Sequence, residues 1–147
     1  MLLTDLEVNL ARLQRAVSAN ADSLSPCVVE AHALDWYDHS AVQRLAQSTP
    51  RGSFDVVVAA DCNFCHTMHD PLASTLVAAA AARTRNGTTL PPTRVLVAEE
   101  ERWKDTSAWW AETAAKHGLQ LLNETVLPML VQGPRKVVLK EYALDAA

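Results

Sequence analysis

The chain has only four glycines and three cysteines among its 147 residues. So few cysteines, in an odd number, do not describe a disulfide framework, which excludes the small secreted scaffolds that depend on one. The sequence also lacks an apolar run of the ~20 residues that a membrane-spanning helix needs. It has no excess of lysine and arginine, and its formal net charge of -4 argues against a nucleic-acid or anionic-membrane surface.

The first ten residues, MLLTDLEVNL, hold two acids and no basic residue, so they do not resemble a secretory signal. Together with the cysteine usage, this predicts a soluble protein of the cytoplasm, with the nucleus as the alternative. The composition is that of an ordinary globular protein, with 49% hydrophobic and 20% charged residues. We expect residues 1–147 to form a single domain.

Helical periodicity begins close to the N-terminus. Leu6, Leu10 and Val17 recur at helical spacing after Thr4 or Asp5, either of which is a suitable N-cap. Further helices are indicated by a proline near a first turn, by alanine-rich sequence and by a terminating glycine. The predicted helices cover residues 6–19, 41–47, 70–86 and 105–116.

Short apolar runs separate these helices. The run Val56–Val58 is typical of a strand covered on both faces, and therefore of a parallel strand. Helices that alternate with such runs predict an α/β sheet, and a turn at Gly133–Pro134 predicts a hairpin at the end of the chain. The predicted strands cover residues 27–34, 54–60, 94–98, 119–126 and 136–142, and Leu2–Leu3 is predicted to end one more.

The segment Cys62-Asn63-Phe64-Cys65-His66 has the spacing of a covalent haem attachment site. Haem is disfavoured because such attachment occurs in exported proteins, and the first ten residues do not resemble a secretory signal. Zinc, with His69 as a fourth ligand, would require a free loop and lacks the usual second ligand pair. The preferred interpretation is that the cysteines are small buried hydrophobes and the histidines solvated loop residues. A zinc- or redox-responsive protein remains the alternative.

Acidic residues follow three of the predicted strands. Asp5, Asp35 with Trp36, and Asp61 all lie at carboxyl ends, where α/β sheets bind ligands. Each also has a simpler interpretation. Asp5 could be a helix cap, Trp36 a core tryptophan with Asp35 as a loop acid, and Asp61 a turn cap. Trp109 and Trp110 are interpreted as helix core, and residues 99–102 as a solvated charge run in which Glu100 and Arg102 stay site candidates.

Several stretches, taken in order, resemble the seven-strand S-adenosylmethionine-dependent methyltransferases of the methyltransferase-like protein-lysine group. These stretches are LLTDLEVNLARLQRAVSAN, EAHALDW, FDVVVAADCNF, VLVAEEER and AAKHGLQL, and they cover nearly the whole chain. The resemblance implies a Rossmann-like α/β sheet, mostly parallel, with a C-terminal antiparallel hairpin and helices on both faces. The family strand order is 3-2-1-4-5-7-6, of which this chain would carry strands 2 to 7.

The resemblance also implies how S-adenosylmethionine would bind. Asp5 would hold the ribose hydroxyls, and Trp36 with Asp35 would lie against the adenine. Ala60 and Asp61 would form the floor beneath the methyl donor. No metal is implied.

Asp61 and Phe64 are the catalytic residues that the resemblance implies. Phe64 occupies the last position of the D-x-x-Y/F motif, near the target amine, and Asp61 could orient that amine. The reaction would be transfer of a methyl group to a neutral lysine amine of a protein substrate, for which alignment supplies most of the rate.

The chain departs from the family at the glycine-rich loop that follows the first family strand. Its glycines, Gly52, Gly87, Gly118 and Gly133, do not form such a loop. We therefore expect a truncated methyltransferase domain that binds S-adenosylmethionine weakly. The alternative is a non-catalytic, methyltransferase-like remnant that acts as a protein-interaction module.

Overall fold

The computed structural model describes residues 1–49, 54–81, 84–85, 88–89, 91–100, 105–127 and 136–144. The chain divides into two compact units, Met1–Ala41 and Val42–Ala147. Arg102 and the predicted turn at Gly133–Pro134 lie outside the described residues. None of the helices in the described ranges has the length and apolarity to cross a bilayer.

The first unit contains two parallel strands and the helices that connect them. Strand β1 (Leu2–Asp5) is followed by α1 (Glu7–Ala19), α2 (Ala21–Leu24) and β2 (Glu30–Ala33). The register runs from Leu2 opposite Glu30 to Asp5 opposite Ala33. A strand at Leu2–Leu3 and the first helix are confirmed, but the strand continues to Asp5 and does not end at Leu3 as predicted. Strand β2 is shorter than the predicted 27–34.

The N-cap of α1 is Leu6 and not Thr4 or Asp5 as predicted. The reason is that both predicted caps are still part of the β1 ladder, where Asp5 pairs with Ala33. A single residue, Leu6, therefore separates the end of the strand from the start of the helix, and this N-cap has no side-chain hydrogen bond.

The second unit contains the strands β3 (Val56–Ala60), β6 (Arg94–Glu100), β7 (Leu119–Leu127) and β8 (Val137–Leu144). They form a four-stranded sheet in the order β3-β6-β8-β7. Strands β3 and β6 are parallel, whereas β8 is antiparallel to both β6 and β7. The order agrees with family strands 4-5-7-6, and the sheet of the first unit agrees with 3-2, so both parts of the implied topology are confirmed.

Three further helices, a 3-10 turn at His66–Met68 and a small hairpin complete the described elements. The helices and the hairpin strands are α3 (His39–Ser48), α4 (His69–Ala80), α5 (Thr106–Lys116), β4 (Thr84–Arg85) and β5 (Thr88–Thr89). The prediction that α4 continues to residue 86 is wrong, because Ala81 is extended and Thr84–Arg85 then pairs antiparallel with Thr88–Thr89. Gly118 ends α5 as predicted, with φ +78°, a conformation that glycine adopts without steric cost.

The core of the second unit is formed where α4 and α5 pack on the sheet. Trp110 is fully buried and donates a hydrogen bond from Nε1 to the hydroxyl of Tyr142 at 3.1 Å. Its ring also makes edge contacts with Tyr142 and His69, at centroid distances of 6.3 and 5.6 Å. Burial raises the pKa of Tyr142 to about 12, so the phenol stays neutral beside Trp110.

Strand β3 is parallel as predicted, but it is not buried on both faces. Ala59 is 4% exposed, whereas Val56 is 45% and Val58 62% exposed. Because side chains alternate along a strand, Val57 and Ala59 point to one face, and Val56, Val58 and Ala60 point to the other. An apolar run therefore indicated the strand correctly but did not indicate how many of its faces are covered.

Candidate functional site

Asp5 lies at the carboxyl end of β1, where it was predicted. Its Oδ1 accepts hydrogen bonds from the backbone N–H of Leu6 at 2.7 Å and from Asn9 Nδ2 at 3.0 Å. Among the residues that the structure describes, none donates to Oδ2 of Asp5. The carboxylate is exposed, so one oxygen is fixed by the protein and the other can accept a hydrogen bond from a ligand.

Asp35 and Trp36 lie at the same edge of the two-stranded sheet as Asp5. The N–H of Leu34 donates to the carbonyl of Asp5 at 2.8 Å, which continues the ladder by one residue. Asp35 Oδ1 then accepts from the N–H of Tyr37 at 2.9 Å, which forms a tight turn. Trp36 is half-buried, so part of its ring is accessible at this edge.

Ala60 and Asp61 lie at the carboxyl end of β3, in the second unit. The N–H of Asp61 donates to the carbonyl of Ala98 at 2.7 Å, one step beyond the β3–β6 ladder. Asp61 has φ 54°, in the left-handed region that aspartate tolerates better than most residues. The chain therefore turns sharply out of the strand into the segment Asp61–Cys65, which we name the strand-end loop.

The six predicted site residues thus form two sets, one in each unit. Within the strand-end loop, Asp61 is exposed and Phe64 is 57% exposed. Phe64 offers an apolar ring, and it has no hydroxyl to hydrogen-bond an acceptor. The assignment of these residues to a cofactor and an acceptor remains a prediction from the resemblance.

Asn63, between Asp61 and Phe64, was not predicted as a site residue, yet it is buried and hydrogen-bonded through both its side chain and its main chain. It is 1% exposed, and its side-chain Nδ2 donates to Glu99 Oε2. Its backbone carbonyl accepts from His69 Nε2 at 2.8 Å. Both the side chain and the main chain of Asn63 are therefore fixed.

Glu99 and Lys140 form a buried ion pair, with side-chain exposures of 5% and 4%. Lys140 Nζ donates to Glu99 Oε1 and, at 2.6 Å, to Ser107 Oγ. Ser107 Oγ in turn donates to Glu99 Oε1 at 2.7 Å. We name the residues Asn63, Glu99, Ser107 and Lys140 the buried polar cluster.

The charge of Glu99 is stabilised by this cluster. Burial by itself raises the pKa of the carboxyl, but the hydrogen bonds from Lys140, Ser107 and Asn63 together outweigh it and hold the pKa of Glu99 below its ordinary value. The expectation that residues 99–102 form a solvated charge run is thus wrong at Glu99. The sequence did indicate that Glu99 is buried, because Glu99 lies on the same face of the strand as the buried residues Val95 and Val97.

The two histidines of the candidate metal segment have different environments. His66 is exposed, with its ring 5.5 Å from that of Trp109. His69 is 2% exposed, so the expectation that it is a solvated loop residue is wrong. It begins α4 and packs on Trp110, whereas Trp109 is 48% exposed and so is not core as predicted.

Cys62 and Cys65 are half-buried and not fully buried as expected, and neither forms a disulfide. Cys62 Sγ donates to the carbonyl of Ala60 at 3.3 Å. A hydrogen bond to Thr67, with Sγ and Oγ1 3.1 Å apart, lowers the pKa of Cys65. In the described part of the chain, no three His, Cys, Asp or Glu side chains are grouped so that they could hold a metal ion.

The Glu99 carboxylate predicts a specific acid sensitivity. Since its folded pKa lies below the ordinary value of 4.5, its contribution to stability is present above that pH and is lost as the pH falls through the folded pKa. Urea unfolding measured across this range should show a steep acid decline, which Glu99→Gln should reduce. Glu112→Gln, at an exposed position of α5, is the control, and an equal decline in both variants would contradict the assignment.

Comparison with known proteins agrees with the fold and the motifs. A family model described as lysine methyltransferase matches residues 1–114. The N-methyltransferase NodS from Bradyrhizobium japonicum WM9 in complex with S-adenosyl-L-homocysteine has a TM-score of 0.56 and 13% identity, over 98% of this chain and 67% of that chain. A second structure of the same protein has a TM-score of 0.51 and 12% identity, over 97% and 72%.

At these identities the likeness to solved structures shows the fold alone, whereas the family model covers most of the chain. The comparison with curated proteins found no match. The chain therefore belongs to the lysine methyltransferase family and has the Rossmann-like α/β fold of the S-adenosylmethionine-dependent methyltransferases.

Proposed function

We propose that the protein uses S-adenosylmethionine to methylate a lysine side chain of a protein substrate. The observation that carries the proposal is the placement of Asp5 and Trp36 at one edge of a parallel sheet, in a chain of the lysine methyltransferase family. The complex of NodS with S-adenosyl-L-homocysteine supports the choice of cofactor.

The residues at this edge fit the nucleoside part of that cofactor. Ribose hydroxyls are donors, and Oδ2 of Asp5 is an exposed acceptor whose partner oxygen is already fixed by Leu6 and Asn9. Trp36 is half-buried, and an indole ring can stack on a planar base. The turn held by Asp35 fixes the position of Trp36 next to the strand end.

When bound, the cofactor supplies a methyl group on a positively charged sulfur. The protein then has to align a neutral lysine amine and exclude water, since little general-base strength is needed. We propose that the Phe64 ring packs against the aliphatic part of the lysine and that the Asp61 carboxylate accepts a hydrogen bond from the amine. Both side chains are exposed at the end of β3, which supports these roles.

We further propose that this chain binds the cofactor weakly. The family holds the methionine portion with a glycine-rich loop, where backbone N–H groups approach the ligand closely. The four glycines of this chain are isolated in sequence, and Gly118 terminates α5. The nucleoside contacts of the first unit would then have to supply most of the affinity.

Titration with S-adenosyl-L-homocysteine, followed by NMR, tests this function. The indole N–H resonance of Trp36 should shift, with saturation only at high ligand concentration. Asp5→Ala should weaken the apparent affinity about tenfold, as for loss of a charge-assisted hydrogen bond. Asp22→Ala, which removes another exposed acid of the first unit, should have no effect.

Two results would contradict these proposals. An unchanged Trp36 resonance at saturating ligand would exclude the nucleoside site. Calorimetry that shows micromolar affinity would instead exclude weak binding and would leave the methyltransferase assignment in place.

A non-catalytic interaction module is the second candidate function. It is favoured by apolar side chains on β7, where Leu121, Leu122 and Val126 are between 48% and 58% exposed. In the described sheet β7 is the terminal strand, and an exposed apolar strand at a sheet edge is a typical place for another chain to pair. This candidate predicts no response of Trp36 to S-adenosyl-L-homocysteine, so the same titration separates the two functions.

A further inference from the structure

In the strand-end loop, one buried polar residue lies between two exposed residues. Asp61 and Phe64 are exposed, whereas Asn63 between them is 1% exposed and has a polar side chain. A buried amide must find hydrogen-bond partners, because leaving it unsatisfied is costly. Asn63 finds two of them, Glu99 Oε2 for its side chain and His69 Nε2 for its carbonyl.

Glu99, the partner of the Asn63 side chain, also accepts hydrogen bonds from residues of two other elements. Lys140 reaches Glu99 from β8, and Ser107 reaches it from the first turn of α5. The loop is therefore connected through one carboxylate to three elements of the second unit, β6, β8 and α5. Hydrogen bonds to a charged acceptor are shorter and roughly twice as strong as those between neutral groups.

Stability alone does not account for this arrangement. A buried ion pair can often be replaced by apolar residues of similar volume without loss, and sometimes with a gain, of stability. An apolar residue at position 63 would fill the same space, but it would not define the rotation of the loop about its buried residue. The directional bonds of Asn63 do define it, and thereby the directions in which Asp61 and Phe64 project.

We propose that Asn63 and Glu99 are positioning residues that hold Asp61 and Phe64 in the orientation needed to receive the lysine side chain. This inference rests on the proposed function for its acceptor. The buried polar cluster acts through the strand-end loop and does not itself contact the substrate. Its loss should therefore weaken acceptor use far more than cofactor binding.

The hydrogen bond between Asn63 and Glu99 can be reversed, which gives a stringent test. Asn63→Asp places two carboxylates against each other. Glu99→Gln places an amide N–H donor against the N–H donor of Asn63. The double variant Asn63→Asp/Glu99→Gln exchanges donor and acceptor. It restores the bond and leaves an amide oxygen for Lys140 and Ser107. We expect each single variant to disturb the loop and the double variant to restore it.

The cysteines of the chain report on the loop without any enzymatic reaction. Cys62 and Cys65 lie on either side of Asn63, and exposed Cys27 lies in the first unit as an internal reference. In each single variant, labelling of Cys62 and Cys65 by a thiol reagent should be about tenfold faster, as expected when one buried hydrogen bond is lost. Labelling of Cys27 should not change, and the double variant should be close to wild type.

The second readout is methyl transfer to a pool of lysine-containing peptides with radiolabelled S-adenosylmethionine. Each single variant should raise the KM for peptide about tenfold, while its Kd for S-adenosyl-L-homocysteine stays within about twofold of wild type. The double variant should recover the peptide KM. A loss of cofactor affinity equal to the rise in peptide KM would overturn the positioning role.

Thr93→Val is the matched control for general destabilisation. Thr93 is 2% exposed, and its hydroxyl donates to the carbonyl of Phe54 at 2.7 Å. It lies six residues before Glu99, about 20 Å away along an extended strand. Thr93→Val should lower stability without faster labelling of Cys62 or Cys65, and faster labelling of both would overturn the inference.

The two proposals can fail separately. If the wild-type protein transfers no methyl group to lysine peptides, the proposed function fails, and the labelling experiment still decides whether Asn63 and Glu99 fix the loop. If transfer occurs but the reversed pair does not rescue the single variants, the positioning role is wrong and the proposed function stands.

Discussion

Lys140→Met is expected to lower the free energy of unfolding by about 3–5 kcal/mol, because it leaves the Glu99 carboxylate buried without its counter-ion. Both side chains are almost fully buried, with exposures of 4% and 5%. Methionine keeps most of the aliphatic volume of lysine, so little of the loss can be attributed to a cavity. Urea denaturation followed by circular dichroism at neutral pH measures the effect.

The same substitution at an exposed lysine provides the control. Lys136→Met, one residue before β8, should change stability by less than about 0.5 kcal/mol. The double variant Glu99→Leu/Lys140→Met removes both charges, and we expect it to regain most of the lost stability. A Lys140→Met protein as stable as wild type would show that the pair is not buried as described.

Trp110→Ala is expected to lower the free energy of unfolding by about 3–5 kcal/mol, the range for removal of a buried aromatic side chain. Trp110 is 0% exposed, and its loss removes the edge contacts with His69 and Tyr142. It also removes the hydrogen bond to the buried hydroxyl of Tyr142. Thermal and urea denaturation should both show the loss.

The neighbouring tryptophan makes this comparison internally controlled. Trp109 is 48% exposed, so Trp109→Ala should cost less than about 1 kcal/mol. The two variants change the same residue type in consecutive positions of α5. Similar losses in both would contradict the assignment of Trp110 to the core.

Local sequence patterns were sufficient for much of the fold. The apolar run of β3 indicated a parallel strand, and Gly118 indicated the end of α5, because each signal depends on residues close in sequence. The end of α4 was misplaced, since an alanine-rich segment has high helix propensity. That propensity does not show where Thr84–Arg85 begins to pair with Thr88–Thr89.

The candidate site was predictable only in part, because local sequence patterns do not show contacts between residues that are distant in sequence. Asp5 and Asp35–Trp36 were expected at strand ends and lie at one edge of a sheet, because parallel strands place their carboxyl ends together. The role of Asn63 was missed because its contact with Glu99 spans 36 residues, and that of Glu99 with Lys140 spans 41. The alternation of Glu99 and Lys140 with buried valines indicated that both are buried, but not that they contact each other.

The left-handed backbone of Asp61 restricts which amino acids this position can hold. Glycine, asparagine and aspartate adopt φ near 54° readily, whereas β-branched and long side chains do so only with strain. Among these three, aspartate alone carries a charge. The negative group that the proposed function needs at the end of β3 is thus supplied by one of these three residue types, and glutamate, despite its identical charge, would be a poor replacement.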